Sequence, residues 1–171
     1  RQAGEGMDRN INGEFNLTKD EQDMIFRVSD AFHAKSKKVI VIINSGSVME
    51  TASWRDRVDA ILVAWQPGIE GGNSVADILT GKVNPSGRLT MTWPIAATDH
   101  PSTANFPQDY DMYTYKNMEG SGHVKNVDYT NHEEDIYVGY RYFDTFNKRV
   151  AYPFGFGLSY TTFELTKLVV K

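Results

Sequence analysis

The chain reads as an α/β domain built on an open, mostly parallel sheet sandwiched by helices. Three observations predict this. Residues 18–80 follow the order helix, strand, helix, strand, helix, the rhythm of a sheet whose strands are joined by helical crossovers. Both strand segments, Val39–Ile43 and Ala60–Trp65, are continuous apolar runs, as expected of strands covered on both faces. Each run stops at a turn-forming cluster, Asn44-Ser45-Gly46-Ser47 in one case and Gln66-Pro67-Gly68 in the other.

The first helix is predicted to start at Thr18. Thr18 and Glu21 have the spacing of a capping box, and Asp20 adds a second acid near the positive helix end. Met24, Ile25, Val28, Ala31 and Phe32 then recur at helical spacing, giving one apolar stripe that runs to about Lys35. Lys35, Lys37 and Lys38 suit the negative end of that helix. A short helical stretch over 51–57 leads to the second strand, and residues 70–80 read as a helix with Val75, Ile78 and Leu79 on one face. Beyond Gly81, the turn Asn84-Pro85-Ser86-Gly87 introduces the alternating Leu89-Thr90-Met91-Thr92-Trp93, predicted as a short strand stopped by Pro94. Residues 97–135 lack apolar periodicity and are rich in Asn, Asp, Tyr and Gly, so a long irregular loop is expected, functional or interfacial in kind. Residues 136–163 are aromatic and Gly-rich, and residues 164–171 resemble a strand that opens another module.

Length and composition narrow the function classes. A chain of 171 residues is about one domain with room for a real core. Its net charge of -4 and pI near 5.5 argue against a nucleic-acid binder, which carries a basic face. No apolar run is long enough to span a bilayer, and no signal-peptide pattern opens the chain. The start at Arg1 on a polar, Gly-rich stretch reads as part of something longer. With no cysteine there is neither a disulfide framework nor thiolate chemistry. Asn16-Leu17-Thr18 is a glycosylation sequon, a triplet common by chance.

Glu5 is the candidate catalytic residue. It sits between Gly4 and Gly6, where a carboxylate on a flexible loop can approach a reacting bond without Cβ clashes. Other candidates are weaker. Asn44-Ser45-Gly46-Ser47 lacks the Gly-x-Ser-x-Gly pattern and a committed histidine, so it reads as a polar turn closing a strand. Gly68, Gly71 and Gly72 do not form a dinucleotide-binding fingerprint, and suit a tight strand-to-helix connection with Glu70 at the helix start. His33, His100, His123 and His132 lie at spacings unlike any metal set and read as surface or loop residues. No cofactor or metal is implied. Glu133, Glu134 and Asp135 read as a solvated acidic face. Among the aromatics of the long loop and the segment after it, packing is favoured over sugar stacking, most strongly between Ile136 and Tyr160.

Three segments together carry a family resemblance. They are Ala3-Gly4-Glu5-Gly6-Met7-Asp8-Arg9; Trp65-Gln66-Pro67-Gly68 through Glu70-Gly71-Gly72, Ala76 to Gly81 and Asn84 to Leu89, ending at Trp93-Pro94; and Asp135 to Asp144 followed by Tyr152-Pro153-Phe154-Gly155-Phe156-Gly157-Leu158-Ser159-Tyr160-Thr161. In order and spacing they resemble the second domain of family 3 glycoside hydrolases, the β-glucosidase and β-xylosidase family. The resemblance covers nearly the whole chain. It implies that residues 1–163 are an α/β sandwich domain lacking its first strands, and that residues 164–171 begin a fibronectin-III-like module. It also implies a (β/α)8-like barrel as partner domain, absent from this chain and carrying the nucleophilic aspartate. Glu5 matches the family's general acid/base, with Ala3 where the motif usually has Ser, a departure that removes a hydroxyl partner from the loop. The implied activity is retaining, exo-acting hydrolysis of terminal β-D-glucosides or short β-linked oligosaccharides, with β-xylosidase as the alternative. This piece alone is then expected to be inactive, and the whole protein periplasmic or secreted. A non-catalytic carbohydrate-binding domain is the rival from another class. A nucleotide-binding domain would need a Gly-rich phosphate loop after the first strand, which is missing.

Overall fold

The computed structural model describes residues 9–104, 132–164 and 166–167. Helix α1 spans Lys19–His33 and starts as predicted: the Thr18 side chain accepts from the Glu21 N–H at 3.3 Å, and Glu21 Oε2 accepts from the Thr18 N–H at 2.8 Å. Strand β1, Ile40–Ile43, pairs in parallel with β2, Ala60–Val63, in the register Ile40↔Ala60 to Ile43↔Val63. Between them the chain makes a tight helical turn at Arg55–Arg57, which places Arg57 against α1. There it forms an ion pair with Asp30 and lies 4.9 Å from the Phe26 ring centroid. Helix α2 follows at Gly71–Leu79.

The core gathers Ile25 of α1, Ile43 of β1, Met49, Trp54, Trp93 and Ala151. Only Ile25 of the predicted α1 stripe is buried. Met24, Val28, Ala31 and Phe32 are exposed, because α1 turns its Ile25–Ser29 line inward instead. The expectation of two covered faces for β1 also fails among the described residues. Val39 and Ile43 are buried, but Ile40 and Ile42 are 47% and 44% exposed. Strand alternation sends the odd-numbered residues to the core side and the even-numbered ones away from it. The sheet among the described residues has two strands.

The segment Leu89–Trp93 is not a regular strand. It meets the chain after Ala151 at one antiparallel bridge, Trp93↔Tyr152, and at a second contact where the Leu89 N–H donates to Phe156 O at 2.8 Å and the Gly155 N–H donates to Leu89 O at 2.8 Å. Between the two contacts the chain bends at Thr90 and Met91, so no continuous ladder forms. Gly157 permits the close approach of the two stretches, since a Cβ there would stand 2.4 Å from Gly87 O. The same region returns to α2: the Tyr160 hydroxyl donates to Ile78 O at 2.8 Å, and the Tyr160 N–H donates to Asn84 Oδ1 at 2.8 Å.

The Gly-rich aromatic segment contains a short helix, α3, at Tyr140–Thr145, which the composition did not suggest. It buries Phe143. The described start of the long loop makes two tight turns, Ala97–Asp99 and Pro101–Ala104; the rest of the predicted loop up to 131, and most of the strand predicted over 164–171, lie outside the described residues.

Candidate active site

Glu5, the predicted proton donor, lies outside the described residues. What the structure shows is how the chain just after it is held. Residues 9–17 run as an irregular turn centred on Ile11–Phe15, in which the Asn10 N–H donates to Glu14 Oε2 at 2.5 Å and the Asn16 N–H to Ile11 O at 2.8 Å. Phe15 is buried, the Arg9 guanidinium stands 6.0 Å from its ring centroid, and Phe15 O accepts from the Glu50 N–H at 2.9 Å. The described segment that follows Glu5 in sequence is thus tied to the chain beyond β1 and then capped into α1.

That tie forms one wall of an open cleft of about 580 Å³, lined among others by Asn12, Asn16, Lys19, Gln22, Glu50 and Ser53. Glu50 is buried, and its carboxylate accepts from the Ser53 N–H at 2.6 Å and from the Ser53 hydroxyl at 2.8 Å. The carbonyl of Glu50 accepts from the Trp54 indole N–H at 2.9 Å. Glu50 therefore fastens the turn after β1 to the buried Trp54, a structural task that its place in an ordinary polar sequence did not signal.

The remaining candidates fall as follows. Ser45 is buried, and its hydroxyl donates to Ser47 O at 2.9 Å, which closes the polar turn after β1. Glu70 stands at the N-terminal cap position of α2 and accepts from the Asn73 side-chain amide at 2.6 Å. The acidic run is not uniformly solvated: the Glu134 side chain is only 9% exposed and lies 3.6 Å from His132 Nδ1, while Glu133 and Asp135 are exposed. His100 is also less superficial than expected. Its ring meets the buried Phe143 edge-on at 5.1 Å, and burial pushes its pKa below the ordinary imidazole value, against a smaller upward pull from Asp99. His33 pairs with Asp59 at 2.9 Å, and His123 lies outside the described residues. Among the described residues no three His, Cys, Asp or Glu side chains gather as a metal site, and no helix is long and apolar enough to cross a membrane.

Sequence reasoning missed Asp59. Its carboxylate accepts from Lys38 Nζ at 2.7 Å and from the Val39 N–H at 2.8 Å, besides His33, and so clasps the end of α1 and the starts of both strands. Those three contacts, the Lys38 one foremost, hold its pKa well below the usual carboxylate range. A signal existed: in parallel register, the residues just before the two strands, Lys38-Val39 and Asp59, face each other.

Of the aromatics weighed between packing and sugar stacking, Tyr110, Tyr113 and Tyr115 lie outside the described residues. Phe143 is buried, while Tyr140, Phe154 and Phe156 are exposed, so packing is seen for only part of the set. Trp93 meets Trp65 edge-on at 6.1 Å and Tyr152 edge-on at 6.2 Å, and Tyr152 stacks at a tilt on Phe156 at 5.0 Å. Arg55 closes the array, 5.3 Å from the Tyr152 ring centroid and hydrogen-bonded to Ala151 O. This array joins the sheet to the Gly-rich segment.

Residues 1–160 match the family described as the glycosyl hydrolase family 3 C-terminal domain. The chain belongs to that family. It is 46% identical over 158 residues to beta-glucosidase A of Butyrivibrio fibrisolvens, covering 90% of this chain and 16% of the relative. An exo-alpha-(1->6)-L-arabinopyranosidase of Bifidobacterium longum is 39% identical over 137 residues, 80% of this chain and 16% of the relative. Among solved structures, beta-glucosidase 3B from Thermotoga neapolitana in complex with alpha-D-glucose superposes with a TM-score of 0.80 at 50% identity, over 92% of this chain and 20% of that one. The small parallel sheet with its helices is thus the fold of this C-terminal domain, and the chain spans about a sixth of the length of these curated relatives.

Proposed function

We propose that this domain is part of a retaining, exo-acting β-glycosidase that hydrolyses terminal β-D-glucosides, and that Glu5 is its general acid/base. The observation that carries the reading is the position of Gly4-Glu5-Gly6 within the matched residues 1–160 of a family whose similar members include named β-glucosidases. Retaining hydrolysis needs two carboxyl groups about 5 Å apart across the scissile bond. Glu5 supplies one. An aspartate on a barrel domain of the same protein supplies the other, attacks the anomeric carbon and forms a glycosyl-enzyme. Glu5, protonated, gives its proton to the departing glycosidic oxygen; ionised, it then takes a proton from the water that attacks the intermediate. The charged nucleophile and partial desolvation favour the protonated form before the first step, and loss of that charge in the intermediate favours the ionised form afterwards. Without the barrel, this chain alone does not catalyse the reaction.

The sugar is a glucoside in this reading because the relatives at 46% and 50% identity are β-glucosidases. The arabinopyranosidase relative at 39% identity shows the same kind of domain accompanying another pyranose, so β-xyloside remains a second reading for the sugar. A non-catalytic carbohydrate-binding domain is the alternative from another class; it predicts sugar binding without turnover by the whole protein.

The test is Glu5→Ala in the whole protein. Hydrolysis of glucosides with poor leaving groups should fall by about 10²–10⁴-fold, the usual contribution of a positioned acid or base. Release of an activated aryl leaving group should fall much less, and added azide should restore turnover. Equal losses on both substrates without azide rescue would contradict the role.

A further inference from the structure

We infer that Glu50 is a positioning residue for the proton-transfer step, fixing the stretch of chain from which Glu5 reaches the substrate. The inference rests on the glycosidase reading above and adds to it a buried carboxyl group that the reaction itself does not use. Glu50 is 7% exposed, and it is held on three sides. Its N–H donates to Phe15 O at 2.9 Å, and its carbonyl accepts from the Trp54 indole N–H at 2.9 Å. Its carboxylate accepts from the Ser53 N–H at 2.6 Å and from the Ser53 hydroxyl at 2.8 Å. A buried carboxylate is costly unless donors meet it, and here both come from one residue three positions on. They close the turn over 50–53 against the buried Trp54 and fix the direction in which the Glu50 N–H points.

Phe15, which that N–H holds, anchors the described segment after Glu5. Its ring is buried, the Arg9 guanidinium stands 6.0 Å from the ring centroid, and its own N–H donates to Asn10 O at 3.1 Å. Four residues lead from Glu5 to Arg9, a covalent reach of at most about 14 Å. Where Arg9 and Phe15 are held therefore bounds where the Glu5 carboxyl can stand. A misplacement of about 1 Å by a change far from the chemistry can cost about 10²-fold in rate. In this reading the nucleophile belongs to another domain, so slack in the tether weakens proton transfer and leaves nucleophilic attack intact.

The experiment measures kcat/KM of the whole protein on two substrates. The leaving group of methyl β-glucoside needs a proton, whereas that of an activated aryl β-glucoside does not. Glu50→Ala should lower the value for methyl β-glucoside about thirtyfold and leave the aryl value within about twofold. Glu50→Gln keeps an acceptor for Ser53, so its loss on methyl β-glucoside should be only about threefold, again with the aryl value spared. That variant decides the matter if the alanine protein does not fold. A purely structural role would lower both values in proportion to the folded fraction. Parallel losses on the two substrates, or no loss, would overturn the inference even where Glu5→Ala loses activity selectively. Should Glu5→Ala show no selective loss, the acid/base reading itself falls, and this inference with it.

Discussion

Between Thr18 and Gly81 the backbone satisfies its own hydrogen bonds inside two helices and a strand pair, whereas the described residues of 89–104 and 132–160 do so through a single bridge, one short helix and scattered turns. The second region compensates with rings. Trp93, Tyr152, Phe156, Phe143 and His100 contact one another or the sheet in two edge-to-face or tilted groups, and Arg55 reaches across to Ala151 and Tyr152. The difference shows that a segment can be pinned to a sheet by a few large buried side chains when its backbone has no ladder to extend. Such pinning concentrates stability in few residues, while the helical region spreads it over caps, turns and a sheet register.

Trp93 is the sharpest place to break that contrast, since its ring meets both Trp65 after the sheet and Tyr152 in the aromatic region. Trp93→Ala should lower stability by about 3–5 kcal/mol, measured by urea unfolding, as for other buried aromatic truncations. A loss below about 1 kcal/mol would mean that the array does not carry the second region. Gly71→Ala, in the first region, should cost about 1–3 kcal/mol because the new methyl meets Pro67 at 2.5–2.8 Å and the ring must shift. Thr18→Ala removes half of the capping box and should cost about 1 kcal/mol.

The smallest expected effect is a pH dependence. Burial keeps His100 below its ordinary value in the folded protein, so the unfolded chain takes up its proton at higher pH. This contribution is complete above about pH 6.5 and fades as the pH falls below it. Thermal unfolding of the unaltered protein should therefore lose more stability between about pH 7.5 and pH 5 than that of His100→Phe, which keeps the ring contact with Phe143. Equal losses would remove His100 from the account.

The two regions were not equally legible. The capping box at Thr18, the order of α1, β1, β2 and α2, and their approximate limits could be read because each rests on local chemistry: a side chain three residues from its partner, or an apolar run between turns. The inward face of α1 could not, because the line it buries pairs Ile25 with the polar Ser29, while most of the apolar stripe is left exposed. Alternation in Leu89–Trp93 suggested a strand, yet the bend at Thr90 and Met91 left one bridge, since tertiary contacts around Trp93 set the local backbone. Helix α3 was hidden by glycines and aromatics that speak weakly for any one backbone state. The candidate residues show the same division. A glutamate between two glycines is visible in sequence, whereas the Asp59 clasp depends on residues brought together by the parallel register.

The central claim concerns the proton carried by Glu5. Its most direct measurement is the product formed by the Glu5→Ala protein from an activated aryl β-glucoside in the presence of azide, identified by NMR. The account predicts β-glucosyl azide, formed when azide attacks a covalent intermediate on the face that Glu5 would have served. Formation of α-glucosyl azide, or unchanged hydrolysis to glucose at the rate of the unaltered protein, would contradict it.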